Sequence, residues 1–203
     1  MSACQFPAFF EQVPSIILCD PLADFLGAAE GGLIEYHFAD AVRLAGHSCP
    51  TVAGAWLMTT RALKALYKTE VPERGGISVA FAESQSSGVA GVIASVCTLL
   101  TGATGEGGFK GLAGRFSRKD LLAFDTELPG SVRFMRRDTG AAVNCTLDLS
   151  AVPGDPRMGE LLPALLGGHA SAADARLFGE LWQGRVRRIL VDFHDDPRLV
   201  IMA

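Results

Sequence analysis

Apolar residues recur at three- and four-residue spacings over 51–68, at Val52, Trp56, Met58, Leu63, Leu66 and Tyr67. That period predicts a long amphipathic helix. Pro50 suits its first turn, where the missing N–H is not needed. Asp20-Pro21 reads as the cap and first residue of a short helix ending near Gly27. Residues 33–36 are β-prone. Residues 39–45 allow two helical turns, closed by Gly46 just past the helix end. Residues 76–82 alternate, with Ile77, Val79 and Phe81 on one side, and predict a strand. Residues 87–100 are apolar nearly all round and predict a helix at the centre of the fold.

Four strands are expected next, over 110–116, 121–125, 131–137 and 141–149. The last two are joined by Asp138-Thr139-Gly140, a strong hairpin signal. Helices follow over 156–166 and 171–186, the second capped by Ser171 with Asp174 at its third position. Short strands are expected over 190–193 and 199–202. Helices early and late around a strand-rich middle predict an α+β domain over 1–203. The expected architecture is a mixed or antiparallel sheet with a central apolar helix and flanking helices.

A length of 203 residues suits one such domain. With 49% hydrophobic and 20% charged residues the chain has ample core material, which excludes disorder as the main state. The same low charge leaves more apolar surface than one core hides, so a homodimer is expected. A net charge of −4 carries no electrostatic footprint for nucleic acid. The longest apolar stretch, 88–100, falls short of the ~20 residues of a membrane span. Residues 1–13 lack a basic region and include Glu11, unlike a secretory signal. Five scattered cysteines without a CxxC pair fit reduced thiols and a cytoplasmic location. Cys4, Cys19, Cys97 and Cys145 are expected to serve as packing residues.

Cys49 differs by context. His47 and Cys49 flank one residue in a turn that opens the longest predicted helix. Imidazole nitrogen and thiolate sulfur are both good zinc ligands. The helix N-terminus offers free N–H groups and partial positive charge, which favour a thiolate. Metal ligation and nucleophilic attack both use that species, so local physics leaves the two open.

Gly46-His47-Ser48-Cys49-Pro50 resembles the H-G-H-x-C-P-G motif of the formylmethanofuran dehydrogenase E family. Glu83 is similar to that family's strand-end acidic residue. Thr101-Gly102-Ala103-Thr104, followed by Gly105, Gly107 and Gly108, resembles its T-G-C-T, glycine-rich segment. The resemblance spans about 36–149, with a helical part at 156–190 outside it. The first His of the motif is Ala45 here, the Gly after Pro is Thr51, and the Cys of T-G-C-T is Ala103. The resemblance implies an α+β core, a homodimer, and a metal or cofactor cleft around His47 and Cys49.

His37, ten positions before His47, is a candidate third metal ligand in place of the His lost at Ala45. Glu83 is a candidate ligand, base or helix-terminal charge. Thr101, Gly102 and Thr104 are candidates for holding a cofactor or anion through the loop's N–H groups. The loop lacks the Lys-Ser/Thr ending of a phosphate loop, which argues against a nucleotide. Three functions follow as expectations. The first is a divalent transition metal, zinc before others, held by His47, Cys49 and a third group such as His37, in a protein of redox or one-carbon metabolism with a small-molecule substrate. The second is a metal-free enzyme with Cys49 as nucleophile and His47 or Glu83 as base. The third is a non-catalytic module that holds a metal or cofactor for a partner.

Overall fold

The longest helix, α3 (Pro50–Tyr67), is covered along most of its length, with Val52 to Thr59 buried without a break. Its small residues make this possible. At Gly54 the side chain of Leu147 comes so close that a Cβ would collide with it. Sheet and helices therefore reach α3 from several sides, and it touches α2 (Phe38–Ala45), α4 (Ala90–Thr101) and α6 (Ala172–Arg187). The structure, a computed structural model, describes residues 5–203; Cys4 lies outside them. Among the described residues α3 holds the place expected of the 87–100 segment. That segment starts its helix only at Ala90 and leaves Val89 and Val92 exposed. High average hydropathy did not decide which helix is central. The capacity for close approach did.

Five strands form the main sheet in the order β4 (Leu122–Ala123), β3 (Ile77–Phe81), β5 (Val132–Arg136), β6 (Ala142–Leu147), β7 (Val200–Met202). The β3–β4 pair is parallel and the others are antiparallel, so the sheet is mixed. Val79 faces Phe134, and Phe134 faces Val143 across the ladders. These residues, with Ile77, Phe81, Val132 and Cys145, form the buried face. The hairpin closes as expected, with Gly140 at φ +73°. A separate antiparallel pair joins β1 (Ile16–Cys19) to β2 (Leu33–Tyr36), flanking the short α1 (Pro21–Phe25). The remaining helix, α5 (Arg157–Leu166), packs on α6, whose capping box of Ser171 and Asp174 is present. The fold is α+β.

Two expected strands are not strands. Residues 110–116 form a tight turn in which Leu112 and Arg115 exchange backbone hydrogen bonds. Gly111 and Gly114 break the run, and Ala113 and Phe116 both take positive φ. Residues 190–193 fall largely within a π-helical turn, Arg188–Asp192, that continues α6. A short buried apolar run looks the same in either state, and here the preceding helix decides. Conversely, β1 was not expected from the sequence pattern.

A buried ionic cluster ties the first sheet to the rest. Asp20 is only 5% exposed. Its Oδ1 accepts from Leu22 N, capping α1, and from Arg118 Nη2 at 2.6 Å. Its Oδ2 accepts from Arg74 Nη1 at 2.5 Å. Arg74 Nη2 donates onward to Leu99 O near the end of α4, and its guanidinium lies over the Tyr36 ring. Backbone bonds reinforce the cluster: Cys19 N to Pro72 O, Arg74 N to Cys19 O, and Gly75 N to Thr101 O. Gly75, at φ +82°, lies against the Arg118 guanidinium, where any side chain would overlap it.

Removing one partner of a buried ion pair leaves the other charge uncompensated, at a cost of about 3–5 kcal/mol. Asp20→Ala is therefore expected to lower the urea-unfolding free energy by that amount. At the hairpin, Arg136 binds both carboxylate oxygens of exposed Asp138. That pairing holds the Asp138 carboxyl down at about 2. A depressed folded value stabilises above the ordinary carboxylate range of ~3.9, and the contribution fades as pH falls through about 2. Arg136→Ala should move the Asp138 carboxyl NMR titration up toward ~3.9.

Candidate functional site

The α2–α3 turn carries the His–Cys motif. Gly46 ends α2 at φ +75°, and its N–H bonds Val42 O at 2.8 Å. The left-handed residue reverses the chain within a few positions. Cys49 is then the N-cap of α3, with extended backbone. Its Sγ accepts from Val52 N at 3.4 Å, an unusual cap in which sulfur takes the place of the usual oxygen. Cys49 retains 9% exposure, whereas Cys97 and Cys145 have none. Burial pushes both of those thiols up to about 12.

His47 is exposed, and its Nδ1 lies 2.9 Å from Ala45 O. A carbonyl only accepts, so the bond requires the proton on Nδ1. In the neutral ring, that leaves the lone pair on Nε2. A ring N–H anchored on a backbone carbonyl is also the outer-shell arrangement that orients metal-binding histidines.

The turn is gripped by α6. Trp182 Nε1 and Gln183 Nε2 both donate to Ser48 O, at 3.0 and 3.2 Å, and Ser48 Oγ donates to Gln183 Oε1 at 2.9 Å. Trp182 stacks on Phe178. Sequence reasoning missed this grip, because Ser48 and Trp182 lie 134 residues apart. The half-polar Trp182, whose N–H needs a partner, was the one signal for it.

The other expected site residues lie elsewhere. His37 is the N-cap of α2, its N–H bonded to Asp40 and its ring 3.8 Å from Glu35. The whole of α2 separates it from His47, about 12 Å of helix at 1.5 Å per residue. His37 therefore does not join His47 and Cys49. Glu83 is exposed and lines a cavity of about 300 Å³ with Thr51, Phe81, Val89 and Leu147. Thr51 is that cavity's link to the motif; Cys49 itself does not line it. Among the described residues no three His, Cys, Asp or Glu side chains converge as a metal-holding group.

The expected cradle at 101–104 lies at the end of α4. Thr101 is buried, and its hydroxyl donates to Cys97 O and accepts from Ala103 N. Gly102 caps α4 in the left-handed conformation. Thr104 Oγ1 donates to Arg118 O at 2.6 Å. Thr101 and Gly102 serve the end of α4, whose last carbonyls need partners, whereas Thr104 ties the loop to the Arg118 backbone. No helix among the described residues is long and apolar enough to cross a membrane. Compared with family models and with curated proteins, the chain gives no match.

A Cβ at Gly46 would meet no atom within 4 Å, so only its positive φ resists substitution. Gly46→Ala is expected to cost about 1 kcal/mol in urea unfolding.

Proposed function

We propose that the His47–Cys49 turn is the working site of a protein similar to the formylmethanofuran dehydrogenase E family, and that it binds a divalent transition metal, zinc first. The observation that carries this reading is the tautomer set by Ala45 O, which leaves His47 Nε2 exposed as a donor two residues from a sulfur at a helix head. Neutral imidazole and thiolate form a chemically sound donor pair for zinc. The donor set fits in part. Catalytic zinc typically takes three protein ligands, so water, substrate or a second copy of the chain completes the set. When bound, a metal with an open position would polarise a carbonyl or activate water in redox or one-carbon chemistry.

The chain's own residues have separable tasks in this reading. His47 donates through Nε2 while Ala45 O keeps its proton in place. Cys49 supplies sulfur, held at the helix head by the Val52 N–H. Trp182 and Gln183 hold the turn against α6. Dimer formation is supported by large apolar side chains left in solvent, among them Leu166 at 81% exposure, Leu26 and Phe25. A cytoplasmic location belongs to the same reading, as the compartment where such a thiol stays reduced. A second reading makes Cys49 a nucleophile with His47 as base. It is favoured by the same Val52 contact, which holds the sulfur at the helix head with or without a metal.

Metal analysis of untagged protein separates the two. Stoichiometric zinc is expected in the wild type and its loss in Cys49→Ser, with circular dichroism unchanged. Full metal content in Cys49→Ser would overturn the metal reading. In metal-free protein, iodoacetamide should modify Cys49 well before Cys97 or Cys145, and restored zinc should protect it. A Cys49 as slow as those two would remove the nucleophile reading. Light scattering should give twice the mass of a single chain.

A further inference from the structure

A second cavity, of about 360 Å³, has neither His47 nor Cys49 on its walls. It opens between Pro21, residues 73–75, residues 115–118 and Arg137. Four of its wall residues are arginines: Arg74, Arg115, Arg118 and Arg137. They do not share one state. Arg74 and Arg118 are committed to Asp20 through one nitrogen each, so two guanidinium charges face a single carboxylate there. Arg137 Nη1 donates to Gly75 O at 2.9 Å. Arg115 lies over the Phe116 ring. Neither Arg115 nor Arg137 is ion-paired with a carboxylate among the described residues. Glu73 is the wall's one acidic side chain, which leaves the positive charge in excess.

Hydrogen bonding points the same way. Arg118 is only 8% exposed, yet its Nη1, lying against the wall residue Gly75, has no partner among the described residues. Arg74 Nε is likewise buried without one. Leaving a buried donor unmet is unfavourable, more so when it is charged. The cavity is thus walled by a surplus of positive charge against the one carboxylate of Glu73, with unmet guanidinium donors buried in the two wall arginines Arg74 and Arg118. Planar guanidinium forks match a tetrahedral or planar oxyanion, which supplies several acceptor oxygens and negative charge together.

We propose that this cavity is an oxyanion site for a phosphoryl group, carried by inorganic phosphate or by a small phosphomonoester. Arg115 and Arg137 form the exposed pair at the mouth, and Arg118 and Arg74, fixed by Asp20, form the inner pair. The volume exceeds what one phosphate fills, so it leaves room for an organic remainder. The site is independent of the metal or thiol chemistry at Cys49.

The test is calorimetric titration of the full chain with inorganic phosphate and with phenyl phosphate, at ionic strength held constant with chloride. Saturable binding of either is expected. Tighter binding of phenyl phosphate identifies a phosphomonoester site, and equal binding identifies free phosphate as the ligand. Arg115→Gln with Arg137→Gln, both away from the Asp20 contacts, should weaken binding at least tenfold with unchanged circular dichroism. In wild-type protein the Arg118 guanidinium NMR signals should shift with phosphate and stay fixed with chloride. No saturable binding of either probe, or unaltered affinity in the double variant, overturns the proposal.

Discussion

One carboxylate sets the terms for a large part of this molecule. Asp20 sits almost fully buried, and its two oxygens answer two guanidiniums and the first amides of α1. Taking three charges out of water is costly, and such a cluster persists only when geometry and further hydrogen bonds compensate. Here they do so by recruiting distant segments. Arg74 reaches 54 residues along the chain from Asp20, and Arg118 reaches 98. Through Leu99 O and Thr101 O the cluster also fixes the end of α4. Helix α4 packs on α2 and α3, the two helices that bracket the His47–Cys49 turn. The ionic cluster and the candidate site are thus joined by one continuous stretch of packed structure.

The same arrangement explains what sequence could and could not reveal. Helix α3, the β5–β6 hairpin and the Ser171 cap were legible because each rests on local rules: a period, a turn tripeptide, a capping pair. Asp20 was legible as a helix cap, which it is, and illegible as an ionic centre. Nothing local marks Arg118 as buried or Arg74 as partly so, since arginines are usually solvated. The turn at 110–116 reads as extended until the positive φ of Ala113 and Phe116, beside that of Gly111 and Gly114, is seen. The run at 190–193 was decided by the helix before it. Centrality passed from the most apolar helix to the one with small residues where neighbours press closest.

At the candidate site, the legible part was Cys49 at a helix head beside His47. The capping geometry follows from Gly46, Pro50 and the helical period. His37 could have been set aside by the same reasoning, because two turns of helix between it and His47 already imply opposite ends. The grip of Trp182 and Gln183 on Ser48 was illegible, since it depends on where α6 docks. The threonines at 101 and 104 show how one residue type serves two purposes. Their spacing suits a cradle, but the Thr101 hydroxyl turns back to a carbonyl of α4 and the Thr104 hydroxyl ties the loop to Arg118 O.

The claim that Asp20 unites separate segments is tested most directly by native-state hydrogen exchange on Asp20→Asn. Asparagine keeps the Oδ1 that caps α1 and removes the charge that holds both arginines. The amides of Arg74 and Gly75 in one segment and of Thr104 and Leu121 in another should lose protection together. Those of Phe134 and Val143, in the β5–β6 ladder, should keep protection relative to them. Change confined to Leu22 and Ala23 would show that Asp20 is a helix cap and no more, and would contradict the account.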